Sequence, residues 1–280
     1  MPSPQIDVLS ASGFSLDALT ALFNRGFKGY LFPVGLSVEG LSHRIRTENV
    51  DLHASKIALR NGEPSGFAFI ARRGCRSRLA AMGVAEEARC QGLGLMLLRK
   101  VLADAENRQG GGDREMRLEV FEDNSAARTL YEREGFRTLR RLVGRTWLSP
   151  GKEPAALEFH DTPAWKHAAS SEPADLPWQL EPETLAVLGA PARVASLDGK
   201  AWALVYGTSD DMLVLRGLYV RPGHRRQRLA TRLLSALATM YPGHAIHFPP
   251  LLPESMGAEF FEHIGFQVDA MNQMEMGVSF

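Results

Sequence analysis

A short polar stretch, Arg89-x-x-Gly92-x-Gly94, stands between an apolar segment and an amphipathic one. The apolar segment, Leu79 to Val84, predicts a strand, and leucines at helical spacing over residues 93–102 predict a helix. The first backbone N–H groups of a helix have no partner within the helix and lie at the positive end of its dipole. Glycines let an anion approach that backbone, and an arginine adds a charge. The stretch therefore predicts a loop that cradles an anion.

A second motif follows the strand predicted over Glu115 to Phe121. It consists of Asn124, a short helix that carries Tyr131, and the closing pair Gly135-Phe136. Asn124 is well placed to cap the helix. Tyr131 shares an apolar helical face with its neighbours, and that position is typical of a core tyrosine with a satisfied hydroxyl.

The two motifs, in this order and at this distance, resemble the two signatures of the GNAT acetyltransferase superfamily. The resemblance covers roughly residues 5–148 and, more weakly, the second half of the chain. It implies an α/β (α+β) fold with two tandem GNAT-like units, each a central mixed, mostly antiparallel sheet flanked by helices.

The resemblance also implies the function of an N-acetyltransferase that moves an acetyl group directly from acetyl-CoA to the primary amine of an acceptor, without a metal. The catalytic residues that it implies are Tyr131, as the general acid for the leaving thiolate, and Asn124, as a partner of the pantetheine arm or of a water. A backbone N–H near Met82 would polarise the thioester oxygen. The residues that it implies for acetyl-CoA binding are Met82, Val84, Arg89, Gln91, Gly92, Leu93, Gly94, Asn124 and Tyr131.

Several assignments stay open at this stage. Arg89 can equally be a solvated surface charge, and the aromatic segment Tyr30-Leu31-Phe32-Pro33 can be a core lid or a wall of the acceptor pocket. No residue is fixed as the general base, and an amine can also lose its proton to water. The nominal candidates for a base are Glu39, His43, His53 and Glu119.

The order of motifs repeats in the second half. Met82 to Gly94 aligns without a gap with Leu218 to Ala230, and Leu130 to Phe136 aligns with Phe260 to Phe266. This pattern predicts an internal duplication. A stretch rich in proline and serine separates the copies, and the predicted domains are residues 1–148 and 177–280 with a linker over 149–176.

The two copies differ where chemistry is expected. Arg228 stands at the position of Gly92, Ala230 at that of Gly94, and Phe261 at that of Tyr131. A phenyl ring cannot donate a proton, so the first copy is expected to be catalytic and the second structural or substrate-shaping. A weaker alternative gives the second copy its own activity through arginines such as Arg225 and Arg228.

The amino-acid composition indicates which classes of partner and which cellular location to expect. Lys and Arg total 32 and Asp and Glu total 32, so a net charge of zero gives no support to a nucleic-acid or membrane partner. The two cysteines form no framework, and the first residues lack the pattern of a signal peptide, so a cytoplasmic location is expected. We expect a small-molecule or peptide amine as acceptor and a monomer or homodimer as the assembly.

A second function also fits these observations. The degenerate second copy is compatible with a non-catalytic module that binds or senses CoA and turns nothing over. Release of free thiol in the presence of an amine distinguishes the two functions.

Overall fold

The computed structural model describes residues 5–108, 111–148, 154–169, 175–208 and 211–280. The strands are β1 (Ile6–Ser10), β2 (Val50–Arg60), β3 (Glu63–Arg73), β4 (Arg76–Val84), β5 (Glu115–Phe121), β6 (Arg137–Trp147), β7 (Glu158–His160), β8 (Arg193–Leu197), β9 (Ala201–Gly207), β10 (Met212–Val220), β11 (Ala245–Pro253), β12 (Gln267–Val268) and β13 (Gln273–Ser279). The α-helices are α1 (Leu16–Gly26), α2 (Val38–Glu48), α3 (Leu93–Glu106), α4 (Ser125–Arg133), α5 (Ala164–Ala169), α6 (Pro182–Leu185), α7 (Leu229–Met240) and α8 (Ala258–Ile264).

The chain divides into two compact units. The first contains Met1–Leu139 and Met274–Phe280, and the second contains Arg140–Gln273. Each has a mixed, mostly antiparallel sheet flanked by helices, which confirms the predicted fold class. No helix within the described residues is long and apolar enough to span a membrane.

In the first unit the strands follow the order β1-β2-β3-β4-β5-β13. The predicted hairpin turn between β2 and β3 is present, with Asn61 and Gly62 at φ values of 51° and 84°. Helix α3 packs its leucines on one face of the sheet, where the inward residues of β5 also lie, since that strand alternates between core and non-core positions. On the other face, α1 places Phe23 against Phe67 and Phe69 of β3.

The second unit has the strand order β6-β11-β10-β9-β8-β7. Helix α7 packs on this sheet with Leu233, Leu234 and Leu237, all fully buried. Strand β9 pairs with β8 through the predicted turn at Asp198-Gly199, whose φ values are 53° and 58°.

The unit bounds differ from the predicted domain bounds at two strands. Strand β6 lies in the second unit from Arg140 onward and pairs with β11 between Leu142 and Trp147, with Phe248 opposite Arg145. The last strand of the chain, β13, belongs instead to the first unit, where Met276 is fully buried in the core that contains Tyr131. We call β6 and β13 the exchanged strands.

Part of the predicted linker over 149–176 is ordered structure of the second unit. Residues 149–153 and 170–174 lie outside the described residues, but β7 and α5 lie between them. Trp165 of α5 is buried against Gly217 of β10, where a Cβ would overlap the indole ring. The second unit therefore begins its fold well before residue 177.

Candidate active site

Strands β4 and β5 pair for only part of their length. The parallel pairs run from Arg76 opposite Glu115 to Arg78 opposite Arg117, although β4 continues to Val84 and β5 to Phe121. The edge of β4 that faces β5 therefore leaves backbone N–H and C=O groups without a strand partner beyond Arg78. We call this opening the notch. Met82 and Val84, both half-buried, lie on the β4 side of it.

A β-bulge accompanies the divergence. Phe69 pairs with Ala81 and Ile70 with Leu79, so Ala80 is an extra residue in β4. Its carbonyl accepts a hydrogen bond from Arg44 Nη2 of α2 at 2.7 Å. A bulge raises the local twist of a strand and re-aims its backbone, and here it lies at the point where β4 leaves β5.

The predicted anion loop connects β4 to α3 through one short turn. Glu86–Ala88 form a single 3₁₀ turn, then Cys90 and Gly92 adopt left-handed φ values of 60° and 83°. Gly92 is the N-cap of α3 and supplies no side-chain hydrogen bond, so the first N–H groups of that helix are left for another partner. A Cβ added at Gly92 would meet no atom within 4 Å, so the space above the loop is open.

The other loop residues are divided between surface and core. Gln91 is exposed and donates through Nε2 to the Glu87 carbonyl at 3.2 Å, whereas the Leu93 side chain is 1% exposed and belongs to the core. A Cβ at Gly94 would be 3.7 Å from Leu130 and 3.8 Å from Val84, which is ordinary contact. Only backbone groups of Leu93 and Gly94 are therefore offered to a ligand.

Arg89 donates hydrogen bonds to three backbone carbonyls. Its Nε donates to the Val84 carbonyl at 3.1 Å, and Nη2 donates to the carbonyls of Gly26 at 3.1 Å and Lys28 at 2.6 Å. The guanidinium thus lies at the C-terminus of α1, where a positive charge is favourable. Arg89 ties the end of α1 to the end of β4.

Asn124 makes two hydrogen bonds in opposite directions. Its Oδ1 accepts from the Ala127 N–H at 3.2 Å and so caps α4, as its position predicts. Its Nδ2 donates to the hydroxyl of Tyr30 at 3.3 Å. The sequence pattern did not indicate Tyr30 as a polar partner, because 94 residues separate the two.

Tyr131 is buried, with 8% of its surface exposed, and its ring lies 5.8 Å from that of Phe136. Burial raises the pKa of its hydroxyl, and the nearby Tyr30 raises it further. The described part of the chain offers that hydroxyl no hydrogen-bond partner. Tyr131 is therefore held neutral through the physiological range, as a proton donor must be before it acts.

The aromatic segment after α1 packs against the end of β5. Tyr30 and Phe32 make edge-to-face contacts with each other at 5.6 Å and with Phe121 at 6.4 Å and 5.0 Å. Tyr30 also meets Phe27 at 5.2 Å. The segment is thus packed against β5 and lies next to Asn124.

The four candidates for a general base lie in an ion-pair network, in an open cleft and at the surface. The side chain of Glu119 is 4% exposed, and its Oε2 accepts from Arg78 Nε at 2.7 Å, while Arg78 Nη1 donates to Glu48 at 2.6 Å. Burial alone would lower the pKa of Arg78, but the charges of Glu119 and Glu48 raise it. Glu119 is thus held in a buried ion-pair network.

The other three candidates lie on or near α2 or at the surface. His43 and Glu39 line an open cleft of about 490 Å³ beside Leu16, and burial followed by the charge of Arg46 lowers the pKa of His43. His53 is exposed in β2. Within the described residues, no cluster of three or more His, Cys, Asp or Glu side chains could hold a metal ion.

The second unit repeats the loop backbone. Arg225 Nε donates to the Val220 carbonyl at 3.1 Å, the contact that Arg89 makes with Val84. Arg226 and Arg228 adopt φ values of 61° and 58°, in the places of Cys90 and Gly92. The parallel pairs of β10 and β11 also end early, at Val214 opposite His247.

The side chains of the second unit do not repeat the polar groups. Phe261 occupies the place of Tyr131, with 4% of its surface exposed and its ring 5.0 Å from Phe266. The strand positions that match Arg78 and Glu119 hold Val214 and Pro249. The second notch therefore lacks both the hydroxyl and the buried ion pair.

Comparison with known families agrees with this duplicated geometry. The family model described as Acetyltransferase (GNAT) family matches residues 19–136 and, separately, residues 155–266. The chain belongs to the GNAT acetyltransferase family. Acetyl transfer is the general activity of that family, and acetyl-CoA is the donor that it typically uses.

Solved GNAT structures share the fold over nearly the whole chain. A tandem GNAT protein from the clavulanic acid biosynthesis pathway is 13% identical, with a TM-score of 0.67 and 98% of each chain covered. A GCN5-related N-acetyltransferase from Sphaerobacter thermophilus is 14% identical, with a TM-score of 0.65 and coverage of 98% of this chain and 95% of its own. No curated protein matches the sequence. At these identities, the likeness shows the fold alone.

Proposed function

We propose that the first unit is an acetyl-CoA-dependent N-acetyltransferase that acts on the primary amine of a small-molecule or peptide acceptor. The observation that carries the proposal is the notch between β4 and β5, with the uncapped start of α3 at its end. An extended donor with a diphosphate fits such a place, because strand-edge amides can pair with its amide groups and helix N–H groups with its phosphates.

Each residue has a defined part in the proposal. Backbone groups from Gln91 to Gly94 hold the diphosphate, and the β4 edge at Met82 and Val84 pairs with the pantetheine amides. Asn124 helps to orient the pantetheine arm. Arg89 supports the loop from behind through its bonds to three carbonyls rather than contacting the phosphate.

The transfer itself is a direct displacement. The acceptor nitrogen forms a bond to the acetyl carbon, the C–S bond breaks, and the sulfur takes a proton from Tyr131 as its general acid. The acceptor nitrogen loses one proton, which passes to water and returns to Tyr131 from solvent. The protonated state in which burial holds Tyr131 is the one that this step needs.

The proposal includes a cytoplasmic location. Cys75 and Cys90 are both free thiols, and unpaired cysteines are usual in a reducing compartment.

The test is release of free thiol from acetyl-CoA with a panel of primary amines. We expect turnover by the wild type and a loss of about 100-fold in kcat for Tyr131→Phe, with acetyl-CoA affinity nearly unchanged. The matched control is Tyr241→Phe in the second unit, which should keep the full rate. An unchanged rate in Tyr131→Phe removes it as the acid, and no thiol release with any amine favours the non-catalytic CoA-binding alternative.

A further inference from the structure

The segment between α1 and α2 is tied by hydrogen bonds to residues that follow both strands of the notch. At one end, the Lys28 carbonyl is bound by Arg89, which directly follows the β4 side of the opening. Two residues later, Tyr30 is bound by Asn124, which follows the end of β5. The Tyr30 hydroxyl therefore lies beside Asn124, at the β5 side of the notch.

The hydrogen-bond directions around Asn124 determine what Tyr30 can do. Asn124 Oδ1 is used as the acceptor for the Ala127 N–H, so the group that faces Tyr30 is the amide nitrogen, which can only donate. The Tyr30 oxygen is therefore the acceptor in that bond. Its own hydrogen is not used by Asn124 and can be donated to another group.

Packing and hydrogen bonds fix the position of the Tyr30 side chain. The Tyr30 ring is packed by Phe27, Phe32 and Phe121. The far end of the segment is fixed too, because Leu36 exchanges two hydrogen bonds with the Asn24 side chain, at 2.9 Å and 3.0 Å. Burial raises the pKa of the Tyr30 hydroxyl, more than the Asn124 bond lowers it, so the group stays a donor at neutral pH.

The walls around the hydroxyl indicate the shape of its ligand. Phe32 and Phe121 present apolar aromatic surface beside a single polar hydrogen, and Leu31 is 46% exposed on the same segment. A ligand that satisfies this arrangement has an apolar body and one oxygen acceptor. An acceptor whose amine neighbours a carbonyl oxygen and an apolar group meets both conditions.

We propose that Tyr30 is a specificity residue that donates its hydroxyl hydrogen to an oxygen next to the amine of an acceptor whose apolar body packs on Phe32 and Phe121. This inference rests on the proposed function, since it describes the second substrate of the same site. Tyr131 does not fill this role, because only 8% of its surface is exposed.

The experiment compares two amines that differ in one group. Phenylalaninamide carries a carbonyl oxygen beside its amine, and phenethylamine is its counterpart without the carboxamide. For the wild type, we expect kcat/KM to be roughly tenfold higher with phenylalaninamide. Tyr30→Phe should remove that preference by lowering kcat/KM for phenylalaninamide alone, while Tyr131→Phe should lower the rate with both amines.

A second experiment measures binding of the two amines and does not depend on turnover. The same two compounds are titrated into the CoA-saturated protein, where wild type should prefer phenylalaninamide and Tyr30→Phe should bind both alike. Equal losses for both amines in Tyr30→Phe, no loss for either, or no binding of either compound would overturn the inference while leaving acetyl-CoA binding in place. Absence of acetyl-CoA binding to the wild type would instead overturn the proposed function, and the inference with it.

Discussion

The loops before α3 and α7 have the same backbone conformation and net charges of opposite sign. Over residues 85–94 the chain has two acids and one arginine, a net charge of −1, whereas over 221–230 it has four arginines and no acid, a net charge of +4 with His224 neutral. The left-handed positions nevertheless coincide, and so does the hydrogen bond from the arginine Nε to the carbonyl at the end of the preceding strand. The loop shape is therefore set by features that both copies share.

The comparison extends to the residues that could do chemistry. Tyr131 and Phe261 fill equivalent buried places beside Phe136 and Phe266, so removing one hydroxyl leaves the packing intact. At Gly92, a change to arginine keeps the left-handed turn but adds a long side chain to the open space above it. The fold has thus been duplicated, whereas the side chains proposed to act in the first unit have not been repeated in the second.

The exchanged strands give the largest predicted effect. Met276 of β13 is fully buried in the core of the first unit, so Met276→Ala should lower the free energy of unfolding of that unit by about 2–5 kcal/mol. Urea unfolding with and without acetyl-CoA measures this, because only the unit that binds the ligand is stabilised by it. The control is Met271→Ala, at a residue that is 41% exposed. If Met276→Ala costs no more than the control, β13 does not complete the first unit.

The pH dependence of stability should distinguish the buried Tyr131 from its counterpart Phe261. The pKa of Tyr131 is raised above its ordinary value of 10.0 in the folded state, so the fold binds this proton more tightly than the unfolded chain does. That contribution to stability is fully present below pH 10 and is lost as pH rises toward the folded pKa. Relative to Tyr131→Phe, the wild type should lose roughly 1 kcal/mol between about pH 8 and about pH 11.

Urea unfolding of both proteins at the two pH values checks this, since other titrating groups cancel in the difference. The control is Phe261 in the second unit, where Phe261→Leu should give no such pH-dependent difference. If the difference in free energy of unfolding between wild type and Tyr131→Phe is the same at both pH values, the Tyr131 hydroxyl is not buried as described.

The smallest predicted effect concerns the two loop glycines. Gly94→Ala reproduces the residue found in the second loop, and its Cβ would make only ordinary contacts, so acetyl-CoA affinity should change by less than about threefold. Gly92→Ala should cost more, about 1 kcal/mol, because alanine is strained at a φ of 83°. Calorimetric titration and thermal unfolding of the pair measure both. If Gly92→Ala and Gly94→Ala lower the stability equally, the backbone at Gly92 is not the constrained one.

Local patterns could be predicted from the sequence. The hairpin turns at Asn61-Gly62 and Asp198-Gly199, the Asn124 cap and the loop before α3 each depend on residues within a few positions. The alignment of the two copies also followed directly, because their motifs match without a gap.

Long-range features could not be predicted in the same way. The bond from Asn124 to Tyr30 and the pair between Arg78 and Glu119 join residues that are 94 and 41 positions apart, and nothing in the local pattern indicates them. The membership of β13 in the first unit is likewise a question of strand pairing. The bonds from Arg89 to the carbonyls of Gly26 and Lys28 are also long-range, because more than 60 positions separate these residues in the chain.

The central claim is that the first loop, and not the second, holds the donor. Calorimetric titration of acetyl-CoA into wild type, Gly92→Glu and Arg228→Glu tests it most directly, because each variant places one carboxylate at the equivalent loop position. We predict one site per chain in the wild type, loss of that site in Gly92→Glu, and an unchanged site in Arg228→Glu. Loss of binding in Arg228→Glu with retention in Gly92→Glu, or no binding to the wild type at all, would contradict the account.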